Sequence, residues 1–172
     1  MKGVYVIFFD LKTINGINKK VIGQYNAFVN AGFDMHYYRL DSSNSFICKL
    51  LSRFPFINYL PRMCFYEREF ENVDFVYMRR PPYFSYQYLQ FLKKIRQKNR
   101  KCRIIVEIPT YPYDKEMIKP VKNIPFYIKD IVMRPFLHNY VNYISYQGKE
   151  KKLFKIPTVL IKMVMILIRL IS

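Results

Sequence analysis

The apolar run Gly3 to Phe9 is rich in β-branched and aromatic residues, and a polar turn, Lys12 to Gly16, follows it. From Ile17 the spacing changes. Val21, Ile22, Tyr25, Phe28 and Val29 recur at helical intervals on one face, and Gly32 stands where a helix would stop. A buried strand, a turn and an amphipathic helix open a βαβ unit. This opening restricts the fold class, because a continuously apolar strand must be covered on both faces.

The same alternation recurs along the chain. Phe33 to Leu40 reads as a second strand, Val73 to Met78 as a third that leaves abruptly through Arg79, Arg80, Pro81 and Pro82, and Arg103 to Glu107 as a fourth. A helix from about Ser85 to Asn99 turns Tyr88, Leu89, Leu92 and Ile95 inward and Lys93, Lys94, Arg96 and Lys98 outward. Ser42 to Asn72 reads as one or two short amphipathic helices broken at Pro55 and Pro61. Pro125 to Tyr140 reads as a mostly apolar helix carrying Lys129 and Arg134, with a break near Pro135. Val141 to Ser145 and Thr158 to Ile161 read as short strands around a basic turn, Gly148 to Lys152. The expected fold is α/β, a single Rossmann-like parallel sheet with helices on both faces.

With 172 residues, 51% of them apolar, the chain suffices for one domain and hardly for two. Its net charge of +17 points to nucleic acid, an anionic membrane surface or phosphorylated substrates. Cys48, Cys64 and Cys102 are odd in number and form no CxxC pair, which suggests neither a disulfide framework nor a zinc site and favours a reduced, cytoplasmic setting. Asp10 and Lys12 interrupt the first apolar run too early for a signal peptide. The apolar tail from Ile156 to Ile171 is shorter than a membrane span and is broken by Lys162 and Arg169.

The most distinctive stretch is EIPTYPYDKE, Glu107 to Glu116, directly after the fourth strand. Pro109 and Pro112 fix φ and keep their predecessors extended, so a helix is excluded until about Asp114. Two tyrosines, a threonine and three carboxylates are thereby gathered at a strand's carboxyl end, where open α/β sheets bind ligands.

Together with NGINKK (Asn15 to Lys20), DFVYMRRP (Asp74 to Pro81) and IPTVLI (Ile156 to Ile161), this loop resembles the N-terminal domain of a GT-B glycosyltransferase of family 4 type, as found in bacterial capsular or exopolysaccharide synthesis. The resemblance spans nearly the whole chain. It implies a retaining transferase whose N-terminal domain holds a glycan acceptor, commonly lipid-linked, while a C-terminal domain holds the nucleotide sugar. Transfer occurs in the cleft between the two, and no metal or further cofactor is expected. The turn after the first strand faces that cleft, which places Asn15, Gly16 and Lys19 near a phosphate; the family often has two glycines there, and this chain has Asn15 then Gly16. Arg79, Glu107, Thr110, Tyr111, Tyr113, Asp114 and Glu116 are expected to face the acceptor, and no catalytic residue is assigned.

Each of these residues has a structural alternative. Glu107 either orients the acceptor loop or pairs with Arg79 on the neighbouring strand. Asp114 and Glu116 either accept hydrogen bonds from sugar hydroxyls or favour a helix N-terminus. Thr110, Tyr111 and Tyr113 suit stacking on and hydrogen bonding to a pyranose, with core packing of one tyrosine as the alternative. Lys19 and Lys20 either neutralise a phosphate or are solvated.

After IPTVLI the family would show a motif close to ENGID, whereas this chain reads KMVMILIRLIS. One permitted codon set for Lys162 to Ile171, with a single G restored in front, reads ENGNDIDSIN. The expected organisation is therefore a transferase N-terminal domain over residues 1–161 and a frameshifted apolar tail over 162–172, with the donor-binding domain missing and no turnover by the chain alone. The nucleotide sequence downstream tests this directly.

Two basic amphipathic segments, Phe46 to Arg68 and Pro125 to Tyr140, suit docking on the inner face of the plasma membrane, or else are ordinary core-facing helices. A different class of reading is a nucleic-acid module using KKIRQKNRKCR, Lys93 to Arg103; that run spans a helix's exposed side and a strand's start and carries no recognised binding motif. A small membrane-associated non-enzyme is the third.

Overall fold

A computed structural model describes residues 1–8, 16–39, 67–119, 123–160, 164 and 168. Asn15, the glycine turn before Gly16, and the amphipathic stretch through residue 66 lie outside the described residues.

The strands are β1 (Lys2–Ile7), β2 (Asp34–Arg39), β3 (Phe75–Arg79), β4 (Arg103–Glu107), β5 (Tyr143–Ser145), β6 (Lys152–Leu153) and β7 (Ile156–Val159). They form one sheet in the order β2-β1-β3-β4-β5-β7-β6, parallel except where β6 meets β7. Helices α1 (Gly16–Asn30), α2 (Tyr86–Lys98), α3 (Asp114–Ile118) and α4 (Ile124–Met133) connect them, and α4 passes into a 3-10 turn, Arg134–Asn139. The chain is α/β and Rossmann-like, as its apolar runs require.

Strand alternation sorts the core into two layers. Val4, Val6, Val76, Met78, Ile104 and Val106 face α2, where Tyr88, Leu89, Phe91, Leu92 and Ile95 are buried. Tyr5, Ile7, Phe75, Tyr77 and Ile105 face α1 through Val21 and Phe28, and Val164 and Ile168 join this second layer. Each such buried aliphatic side chain contributes roughly 1.5–3 kcal/mol. Because β1 leads to β2 through α1 on one face and β3 leads to β4 through α2 on the other, the chain reverses direction between β1 and β3. That is the topological switch point of the sheet.

Local chemistry sets the element ends. Ser85 caps α2 by accepting a hydrogen bond from the Tyr88 amide at 3.2 Å. Gly32, at φ +86, ends α1 in the left-handed region expected of a helix stop. Gly3 is required for a different reason: a Cβ there would lie 2.4 Å from the Phe75 ring and 2.5 Å from the Met35 sulfur.

Several expectations need correction. The buried stripe of α1 is narrower than its periodicity suggests, since Ile22 and Val29 are exposed and Asn18 is buried. Arg96 does not point simply to solvent. It donates to the carbonyls of Tyr140 and Cys102 and to the Asn142 side chain, tying α2 to the start of β5. The strand placed at Thr158 begins at Ile156 and belongs to a hairpin with β6. Its two-residue turn, Phe154 and Lys155, has φ of 52 and 67.

Candidate functional site

The carboxyl ends of β1, β3, β4 and β5 carry two polar clusters, one on each face of the sheet. On the α1 face, Glu107 ends β4 fully buried, in register with Arg79 of β3 and Ser145 of β5. Its Oε1 accepts from Gln24 Nε2 at 3.1 Å and lies 3.4 Å from Lys20 Nζ. Gln24 is itself oriented, because its Oε1 accepts from the Tyr5 hydroxyl at 2.8 Å. Deeper in, the Tyr77 hydroxyl meets Ser145 Oγ at 3.4 Å. Burial pushes the Tyr5 and Tyr77 hydroxyls well above the ordinary tyrosine range; the Glu107 charge reinforces this for both, and Arg79 opposes it. Glu107 Oε2 and Arg79 Nη1 are buried without a hydrogen-bond partner among the described residues. Two adjacent strands thus carry an unfilled acceptor and an unfilled donor beside the switch point, a pairing suited to a hydroxyl group, which both donates and accepts.

The opposite face is built around Asp130, which α4 turns inward. Its Oδ1 accepts from the Phe84 amide at 2.8 Å and its Oδ2 from the Tyr113 hydroxyl at 2.9 Å, with Arg134 Nε at 3.1 Å. Arg134 also donates to Asp114 Oδ1 at 2.6 Å, and the Arg80 guanidinium stacks 3.7 Å above the Tyr113 ring. Burial pushes the Asp130 carboxyl above the usual carboxylate range, against the Phe84 and Tyr113 hydrogen bonds and the two arginines. Beside this network lies a pocket of about 430 Å³ between Tyr111, Tyr127, Ile131 and Phe154, with Asp114, Arg134 and Lys155 at its polar side. A larger cavity of about 870 Å³ opens at the other end of the strands, near Asp74, Lys98 and Arg103, away from both clusters.

The loop is therefore not one wall. Glu107 still follows strand alternation and faces α1, whereas Tyr113 and Asp114 turn to the α4 side. Tyr113 is the tyrosine that packs in the core, at 2% exposure. Tyr111, preceding a cis peptide bond to Pro112, is half-buried and accepts from the Tyr146 hydroxyl through its carbonyl at 3.1 Å. Thr110 is exposed at the loop tip. Asp114 opens α3, and Glu116 lies within that helix, its side chain outside the described residues. The ion pair of Glu107 is made by Lys20 of α1, while Arg79 lies beside Glu107 in the sheet register. Lys19 is exposed. Among the described residues, a Cβ on Gly16 would meet nothing within 4 Å.

Sequence reasoning missed Gln24, Tyr5 and Tyr77, whose signal is only that of a helix face and two buried strands. The Asp130–Arg134 pair had a legible signal, opposite charges four residues apart inside an apolar helix. Among the described residues no group of three metal-ligating side chains converges. A scan against protein-family models and searches of curated proteins and of solved structures find no match to the chain.

Proposed function

We propose that this chain is the acceptor-binding half of a retaining glycosyltransferase, one that moves a sugar from a nucleotide sugar to a lipid-linked glycan in surface polysaccharide synthesis. The observation that carries this reading is the α1-face cluster, in which Arg79, Glu107, Lys20 and Gln24 gather beside the β1/β3 switch point and the first turns of α1. Carbohydrate hydroxyls both donate and accept, and the spare Glu107 oxygen and Arg79 nitrogen complement them. The half that binds the nucleotide sugar is a separate domain in this reading, so the chain alone turns nothing over. Peripheral attachment at the inner membrane face belongs to the same proposal and is supported by the net charge of +17 and the exposed isoleucines of α4. No helix among the described residues is long and apolar enough to cross a membrane.

Titration of the chain with bacterial surface oligosaccharides, followed by amide NMR, tests the acceptor site. Shifts should collect at Gly16, Arg79 and Thr110, and Arg79→Gln should weaken binding while Lys98→Gln, at the opposite strand ends, should not. Salt-sensitive binding to arbitrary RNA with no response to any glycan would favour a nucleic-acid module instead. Turnover of a nucleotide sugar by the chain alone would contradict its assignment as the acceptor half.

A further inference from the structure

Helix α4 is inverted relative to an ordinary surface helix. Lys129 and Asp130 are its buried side chains, while Ile124, Ile128, Ile131 and Val132 are 37–50% exposed. Ile124, Ile128 and Ile131 recur at i, i+4 and i+7 and form one apolar stripe along the helix. The stripe runs into the 430 Å³ pocket, because Ile131 is also one of its walls, opposite the rings of Tyr111, Tyr127 and Phe154.

The polar side of that pocket holds two cations in different states. The Arg134 guanidinium is committed to Asp114 and Asp130. Lys155 is exposed, has no ion-pair partner among the described residues, and is held at the pocket by a turn of left-handed residues. We propose that the pocket and stripe bind an anionic amphiphile, its charged head group at Lys155 and its apolar chain along Ile131, Ile128 and Ile124. Charge complementarity selects this occupant: the chain carries +17, and among the described residues lining the pocket the charge without an ion-pair partner is that of Lys155. A neutral chain would gain from the stripe alone, and a free phosphate from Lys155 alone. The inference deepens the membrane-attachment part of the proposed function, which rests on the same isoleucines, and is separate from the acceptor site, which lies on the opposite face of the sheet and is read by its own glycan titration.

Calorimetric titration of the full chain with decyl phosphate, below its micelle concentration, measures the site. Decyl glucoside and inorganic phosphate serve as separate probes of chain and charge. Decyl phosphate should bind saturably, decyl glucoside at least about tenfold more weakly, and inorganic phosphate without saturation. Lys155→Gln and Ile128→Ser should each weaken decyl phosphate about tenfold, the scale of one lost charge contact or one lost apolar contact. Both positions are exposed, and circular dichroism confirms that the variants fold. Equal binding of decyl glucoside, saturable binding of phosphate alone, or unchanged affinity in both variants would each overturn the proposal. So would sedimentation showing that the stripe is covered by a second copy of the chain and released by Ile128→Ser.

Discussion

Asp130 occupies a helix face that apolar periodicity would give to a leucine, and it is tolerated there because two donors and a guanidinium surround it. Removing one member of such a buried set leaves the others desolvated and unpaired, a cost of about 3–5 kcal/mol. Asp130→Ala should therefore lower the urea midpoint strongly, and adding Arg134→Met in the same chain should recover part of the loss, because the buried guanidinium, left with Asp114 as its one carboxylate partner among those described, is gone. A double variant no more stable than the single would refute the coupling. The pH sign follows from burial. The folded carboxyl titrates above the unfolded one, so its contribution is greatest at low pH and is lost as pH rises through the folded value. Glu107 differs at the same scale: its Lys20 partner is 37% exposed and can return to water if the carboxylate is removed.

Strands β1, β3 and β4 were legible because a parallel strand buried on both faces leaves an uninterrupted β-branched and aromatic run. The hairpin of β6 and β7 was not, because a turn with two residues at positive φ usually announces itself as Asn-Gly, and here it is Phe154-Lys155. Helix α4 was placed correctly, but which way it faces was left between an outward docking stripe and a core-facing helix, since periodicity identifies an apolar stripe without saying whether that stripe meets the core; Ile124, Ile128 and Ile131 are exposed. The turn stores strain of order 1 kcal/mol or more per residue. Lys155→Gly should then raise stability by about 1 kcal/mol in thermal unfolding; a loss would show that the lysine side chain contributes more than its backbone costs. The tail gives a second test at this scale. Val164 and Ile168 are helical, one turn apart, and 1% and 2% exposed in the α1-side core. Burying the pair contributes roughly 3–6 kcal/mol, so Val164→Ser with Ile168→Ser should destabilise the protein by several kcal/mol. A tail that is only a reading-frame accident with no packing role would show no change.

The whole molecule is unusually dependent on buried hydroxyl and thiol groups staying protonated. Tyr5, Tyr77, Tyr88 and Tyr113 are each at most 2% exposed, and burial raises all four above the tyrosine range, while it pushes the Cys102 thiol up to about 12. In the unfolded chain the same groups titrate near 10 and 9. Above those values the unfolded state releases protons that the folded state retains, so stability must fall as pH rises, by up to about 1.4 kcal/mol per pH unit for each group. Below about pH 9 these groups bind the same number of protons in both states and contribute no slope. The five act together, and total stabilities of about 5–15 kcal/mol are exhausted within one to three units of pH. The molecule should therefore unfold cooperatively between about pH 11 and 13, with the buried tyrosines ionising in one step as tertiary structure is lost. Urea midpoints measured from about pH 8 upward, alongside tyrosinate absorbance and far-ultraviolet dichroism, follow both events. Flat stability through this range, with every tyrosine ionising smoothly near pH 10, would mean that these hydroxyls are reached by solvent and that the two-layer core is not closed around them.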